Sequence, residues 1–274
     1  LWVLILVLVA IPSSHGEDPA GYKLPKFRKV QSEAKMPAFP ESLTLRLLAD
    51  ADFPPFSFAS RTGVPAGLSV ELAVAACAEI KIKCEVVLKP LPELLPALAG
   101  AQGDVIVSGP RIDENALAKA VITRPWFRSF GRFAVQSGNP LKGSDARSLA
   151  GKRIATVTGT AHAAWLSAHY ASSEVLPFDT EAQAQEALRT GAVDVLFADN
   201  LRLIYWITGA ASRDCCKILG GAYSDFETFS RNLVFLVRSD RADIRDAFDV
   251  ALDRLQMNGT TEKLFNAYVP LPPW

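Results

Sequence analysis

An excess of charge of one sign is missing from this sequence: 29 lysines and arginines are balanced by 29 aspartates and glutamates. Without a net positive field, the chain is not expected to hold nucleic acid or an anionic membrane. Histidine is scarce, with three in 274 residues. Two of them, His162 and His169, fall on one expected helix with no third ligand nearby, so neither a metal site nor a cofactor is expected. No Gly-x-Ser-x-Gly elbow and no phosphate loop occurs. Only four cysteines are present, too few for a disulfide-stapled miniature scaffold. After Leu1–Ile11 no apolar run approaches the about 20 residues that span a bilayer. What is present is core material: 49% of residues are hydrophobic and 21% charged, with 18 Pro and 17 Gly. That composition is neither disordered nor collagenous, and the length allows one large domain or two lobes of roughly 100 to 130 residues.

The uncharged run Leu1–Ile11, followed by Pro12-Ser13-Ser14-His15-Gly16, reads as a secretory signal peptide over residues 1–16. No Cys closes the run, which argues against a lipid anchor. Residues 17–40 are polar and lack apolar periodicity, as expected of a flexible leader. Export permits disulfides. Cys77 and Cys84 flank an expected helix end and strand start, where a short bridge is feasible. Cys215 and Cys216 are adjacent and form either a vicinal disulfide or two separate thiols.

From Leu43 onward strands and helices alternate. Strands are expected at Leu45–Ala49, Cys84–Leu88 and Asp104–Val107, with helices at Leu68–Glu79 and Pro92–Ala99. The plan repeats with strands at Arg153–Val157, Glu174–Pro177 and Asp194–Phe197 and helices at Ala161–His169 and Thr180–Arg189. This is the pattern of parallel sheets covered by helices. Ala97-Leu98 precedes Asp104-Val105 by the same distance as Ala187-Leu188 precedes Asp194-Val195, which implies two similar α/β lobes. The repeat pairs Ser108-Gly109 with Ala198-Asp199 at strand carboxyl ends, where open parallel sheets bind ligands. Apolar runs at Arg132–Gln136 and Leu233–Arg238 are read as strands near the lobe borders. They give lobe 1 as 41–133 plus 236–274 and lobe 2 as 134–235, joined by a two-crossover hinge.

Five segments carry a resemblance. They are Ala49-Asp50-Ala51-Asp52-Phe53-Pro54-Pro55-Phe56-Ser57-Phe58, Gly67-Leu68-Ser69-Val70-Glu71-Leu72-Ala73, Gly103-Asp104-Val105-Ile106-Val107-Ser108-Gly109, Gly151-Lys152-Arg153-Ile154-Ala155-Thr156-Val157-Thr158-Gly159-Thr160 and Val193-Asp194-Val195-Leu196-Phe197-Ala198-Asp199. In this order and spacing the chain resembles the family 3 extracellular solute-binding proteins, periplasmic receptors of polar amino-acid ABC importers. The resemblance implies the type II periplasmic-binding-protein fold: α/β, two-lobed, with parallel-rich sheets, flanking helices and a two-crossover hinge. It further implies a monomer that binds a small-molecule ligand in the periplasm, delivers it to a membrane ABC permease and carries out no catalysis. Cys77 and Cys84 look like the disulfide pair of the histidine and lysine/arginine/ornithine receptors.

The resemblance also assigns site residues. Thr160, after Gly159, would offer its hydroxyl and helix N–H groups to a ligand carboxylate, with a plain helix cap as the alternative. Asp199 would accept the ligand ammonium, or else cap the helix before Asn200-Leu201. Phe53 matches the family's aromatic wall, with a core position as the alternative, and Asp50 an acidic position that faces cationic side chains, with a turn after the strand as the alternative. Ser108 and Gly109 stand at the matching strand end of lobe 1. The sequence departs where the family usually carries a carboxylate-binding arginine, since that position is Ala116. Either Arg111 supplies the guanidinium or the ligand is not an ordinary α-amino acid. Ser230-Arg231-Asn232 replace glycines expected before the last crossover. Arg124 is expected on a solvated face.

Two other function classes compete. Some relatives of the fold act as cyclohexadienyl dehydratases or cleave murein, and Glu71, Asp113 and Glu114 are carboxylates for such chemistry, although acids at helix starts usually cap. A periplasmic accessory that presents a partner-binding face is the third class, favoured by the loss of the arginine and opposed by Thr160, Asp199 and Phe53.

Overall fold

The computed structural model describes residues 22–24, 26, 30, 35–108, 113–128, 130–225 and 232–273. The expected signal peptide at 1–16, Gly109, Arg111, Ser230 and Arg231 lie outside the described residues.

Chain order sets the first unit. Strand β1 (Thr44–Asp50) runs into a small antiparallel sheet of β2 (Asp52–Phe53), β3 (Ser57–Ala59) and β4 (Pro65–Ala66). There follow α1 (Leu68–Ile80), β5 (Lys83–Lys89), α2 (Leu91–Ala99), β6 (Val105–Ser108), α3 (Glu114–Lys119), β7 (Ala120–Ile122) and β8 (Phe127–Arg128). The second unit holds β9 (Gly131–Gln136), β10 (Arg153–Val157), α4 (Ala161–His169), β11 (Glu174–Phe178), α5 (Glu181–Thr190), β12 (Val195–Asp199), α6 (Asn200–Thr208) and β13 (Cys216–Tyr223). The chain then returns through β14 (Asn232–Leu233) and β15 (Leu236–Arg238) to α7 (Ala242–Met257) and α8 (Thr260–Tyr268).

Two five-stranded sheets result, ordered β5-β1-β6-β15-β7 and β11-β10-β12-β9-β13. In the first, β1 is parallel to β5 and β6, and β15 is antiparallel to its neighbours. In the second, β10 is parallel to β11 and β12, and β9 is antiparallel. The repeat is therefore one of topology, and it reaches individual side chains. Asp104 accepts the backbone N–H of Arg46 at 2.9 Å, and Asp194 accepts that of Arg153 at 2.9 Å. Each aspartate thus locks the start of its strand to the start of the neighbouring one.

Alternating side chains fill cores on both faces of each sheet. Leu45, Leu47 and Ala49 of β1 face α1, α7 and α8, whereas Leu48 joins Leu94, Leu98 and Ala116 under α2 and α3. In the second sheet, Phe133 and Phe197 pack at 4.4 Å beside Trp165 of α4, while Ala134, Leu188 and Leu203 form the opposite core with α5 and α6. Helix starts follow their caps: Asp113, Thr160, Thr180 and Asp199 each accept a backbone N–H with their side chains, and Thr180 with Gln183 makes a full capping box.

The linking segments differ from expectation in one respect. The run Leu233–Arg238 is split into β14 and β15, which pair in different sheets. Opposite the break lies Pro125, which has no N–H to continue the ladder. Thr123 repairs it: its amide donates to the Phe235 carbonyl at 3.0 Å and its hydroxyl accepts the Phe235 N–H at 2.9 Å. Segments 120–128 and 232–238 thus leave the first sheet as an antiparallel pair, the two crossovers of the hinge. Strand β9 begins at Gly131, three residues before the expected lobe border. A Cβ at Gly131 would collide with the Phe197 ring, so only glycine fits that entry into the second sheet.

Two further expectations are corrected. The segment expected as a flexible leader is tied down where described, because the Tyr22 hydroxyl donates to the Val269 carbonyl at 2.8 Å and the Leu24 amide donates to Glu262 at 2.9 Å. Burial pushes the Tyr22 hydroxyl pKa up. Arg124, expected on a solvated face, pairs with buried Asp253 at 2.6 Å. Cysteine pairing is complete: Cys77 bonds Cys84, and the alternative left open at Cys215 and Cys216 resolves to a vicinal disulfide.

Two stability outcomes are expected. Replacing Cys77 and Cys84 by Ser opens a short loop and lowers urea-derived stability by about 2.5 kcal/mol; no change would show the bridge to be dispensable. Asp194→Asn removes a partly exposed, solvent-screened pair with Arg153 and is expected to lower urea-derived stability only slightly. The Arg153 hydrogen bond holds the Asp194 carboxyl below its usual range. The difference between wild type and variant is therefore full above about pH 4, the ordinary unfolded carboxylate value, and vanishes as pH falls through the lower folded value.

Candidate functional site

Parallel strands bring their carboxyl ends to one edge, and the candidate residues gather there. Asp50 ends β1, Ser108 ends β6 and Asp199 ends β12, while Thr160 opens α4 just after β10. A register shift between Leu48 and Ala49 sets Ser108 level with Ala49, so the bulge aims the last residue of β6.

Each group is already engaged. Asp50 is 7% exposed and accepts the Asp52 N–H at 3.1 Å, closing the turn into β2. Ser108 is hydrogen-bonded to Ser57 of β3, hydroxyl to hydroxyl. The Thr160 hydroxyl donates to the Val157 carbonyl at 2.7 Å and accepts the Ala163 N–H at 3.1 Å. Asp199 caps α6, with one carboxylate oxygen accepting from Leu201 and Arg202 at 3.0 and 3.1 Å. Both threonine and aspartate therefore fill the cap role that stood as the alternative to ligand contact. A cap does not remove the positive end of its helix from the edge where a solute would sit.

Phe53 is the candidate that reaches across to the second lobe. Its ring stacks on Phe56 with centroids 5.1 Å apart, and the Arg202 guanidinium lies over it at 4.8 Å. Arg202 also pairs with Glu181, Nε to Oε2 at 3.0 Å. Burial pushes the Glu181 carboxyl up, the Arg202 charge draws it down and Asp199 pushes it up again, with a net rise. A cation is thus held between the aromatic ring of Phe53 and the half-buried carboxylate of Glu181.

Ala116, in the first turn of α3, is fully buried in the core with Leu94 and Leu98. Gly109 and Arg111, the neighbours in question, lie outside the described residues. Among the carboxylates weighed for catalysis, Asp113 caps α3 and Glu71 accepts the Tyr268 hydroxyl. His169 stacks on Trp165 at 4.5 Å and His162 meets the edge of Phe197 at 5.8 Å. Among the described residues, no group of three or more His, Cys, Asp and Glu is placed to hold a metal.

Sequence reasoning missed Arg202, Glu181 and Ser57. Ser57 lay inside a quoted motif. The other two had a weak signal: Glu181 follows the cap Thr180 and Arg202 is three residues past Asp199, so both stand in first helical turns beside a strand end.

Comparison with known proteins identifies the family and the fold. Residues 45–270 match the family described as bacterial extracellular solute-binding proteins, family 3. The chain is 26% identical over 239 residues to the L-arginine-binding protein of Pseudomonas aeruginosa, covering 86% of this chain and 92% of that protein. It is 25% identical over 237 residues to the histidine-binding periplasmic protein of Salmonella typhimurium, covering 86% and 90%. The second substrate-binding domain of Lactococcus lactis GlnP, in open conformation, matches with a TM-score of 0.74 at 20% identity, covering 86% of this chain and 99% of that one. An ancestral cationic amino-acid solute-binding protein matches at 0.70 and 22%, covering 82% and 95%. The fold is accordingly the two-lobed type II periplasmic-binding-protein fold, and the chain belongs to the family 3 bacterial extracellular solute-binding proteins.

Proposed function

We propose that the chain is a periplasmic receptor that closes around an amino acid, or a similar small amine or carboxylate solute, and delivers it unchanged to a membrane ABC permease. Lobe 1 comprises 41–133 with 236–274 and lobe 2 comprises 134–235. The mature protein, released from the signal peptide at 1–16, works as a monomer. The observation that carries this reading is the approach of the Arg202 guanidinium, at the start of α6, to the Phe53 ring of the first unit at 4.8 Å. Relatives named for binding arginine and histidine support the solute class.

In this reading Phe53 and Asp50 meet the solute side chain, Thr160 with the α4 N–H groups and Ser108 with Gly109 meet its carboxylate, and Asp199 meets its ammonium. Arg111 replaces the arginine absent at position 116. Closure is favoured only by the difference in solute affinity between the closed and open lobes. Burial of Ala116 in the core favours a second reading, an accessory of the same fold that presents a face to a partner and binds no solute.

Calorimetry of the full chain with a panel of amino acids separates the two. The receptor binds at least one and leaves it chemically intact, with compaction in small-angle scattering, whereas an accessory binds none and an enzyme consumes its substrate. Arg111→Ala is expected to weaken binding by about 2 to 5 kcal/mol, as for loss of one partner of a buried charge pair. Exposed Arg61→Ala serves as the control and should change nothing. Equal affinity in both variants would remove Arg111 from the site.

A further inference from the structure

We propose that Arg202 is a tethered stand-in for a cationic solute: its guanidinium fills the place between Phe53 and Glu181 that a cationic side chain of the solute takes on binding. The inference rests on the receptor reading above and deepens it by naming the solute class and a residue that sets it.

Three observations lead there. First, the Phe53 ring is already occupied, with Phe56 stacked against it and Arg202 over it at 4.8 Å. A solute that uses this ring must first displace the guanidinium. Second, Arg202 sits in the first turn of α6, at the positive end of the helix, where a cation is unfavourable. Its place is thus set by the ring and by Glu181, not by the helix. Third, Arg202 lines a groove of about 490 Å³ between α6 and α8, together with Gln185, Tyr205, Tyr268 and Pro270. The displaced side chain has room there, beside Tyr205 and Tyr268.

The exchange selects by charge. When Arg202 swings away, half-buried Glu181 keeps its hydrogen bond from Gln185 at 3.2 Å but loses its counter-charge, with Asp199 as a like charge nearby. A neutral solute leaves that carboxylate unpaired, which is costly. A guanidinium or ammonium restores both contacts, the cation over Phe53 and the ion pair to Glu181, so like replaces like. The incoming cation bridges the lobes as Arg202 does, and it gains in addition whatever the solute's other groups contact.

The test compares arginine with glutamine by calorimetry on the full chain and follows Arg202 by NMR in arginine-labelled protein. In the free chain one arginine side chain should carry ring-current-shifted δ-methylene protons, lost in Arg202→Ala and in Phe53→Leu. Saturation with arginine should move that signal to a solvent-like position. Arg202→Ala should tighten arginine about tenfold, the scale of one cation–π contact, and glutamine by a similar factor, because both displace the same guanidinium. Glu181→Gln should tighten glutamine, because displacing Arg202 then strands no carboxylate, while leaving arginine within about twofold of wild type. Arginine binding with the shifted signal unmoved, or no tightening in Arg202→Ala, overturns the stand-in while leaving the receptor reading intact. If the shifted signal is present but no amino acid binds wild type or variant, the receptor reading falls, and with it the displacement.

Discussion

Register between the central parallel strands is the constraint on which everything at the cleft depends. Asp104 and Asp194 each take a backbone N–H from the neighbouring strand, Arg46 in one sheet and Arg153 in the other. A slip of one residue would invert every side chain of β1 or β10 between the two cores. Because each carboxylate acts at the far end of its sheet, the opposite ends arrive in step, with Asp50 and Ser108 on one lobe and Thr160 and Asp199 on the other. Arg153 adds a fork to Asp194, and Arg238 an ion pair at 3.4 Å to Asp104. The same device holds both halves of the repeat.

Polar groups at such an edge face a conflict. They must be available to a solute, yet in its absence they cannot stay buried without partners. Here the conflict is met internally: Asp50 binds its own turn, Ser108 binds Ser57, Thr160 and Asp199 cap their helices, and Arg202 covers Phe53. On the proposed reading, solute binding exchanges these internal contacts for external ones. The hinge fits this exchange. Its two segments are joined by a short ladder interrupted at Pro125 and patched by the Thr123 side chain, so fewer backbone bonds resist bending than in the sheets on either side.

Most of the frame was legible because it is local. The helix at Ala161–His169 has the bounds its periodicity and its Thr160 cap predict, and β1, α1, β5, α2, β10 and α5 agree within one residue at each end. Helix α7 is absent from the strand-and-helix reading although Ile244, Ala247, Phe248 and Ala251 recur at helical spacing and are all buried. The split between β14 and β15 could not be read from Leu233–Arg238 itself, since its cause, Pro125, sits on the partner strand. For the site, residue types at strand ends were legible, but whether Thr160 and Asp199 cap or bind was not, because both uses need the same oxygen acceptor at a helix start.

The sequence by itself determined the α/β repeat, the strand ends that form a candidate site and the pairing open to Cys77 and Cys84, since periodicity, caps and short spacings act between near neighbours. Only the tertiary structure decided that Ala116 belongs to the core, that Cys215 and Cys216 are bonded to each other and that Arg202 lies between Phe53 and Glu181. Phe53 and Arg202 belong to different lobes and are separated by more than half the chain. Their contact exists only once two sheets have set their registers and the crossovers have placed one edge against the other, and no local pattern encodes that distance.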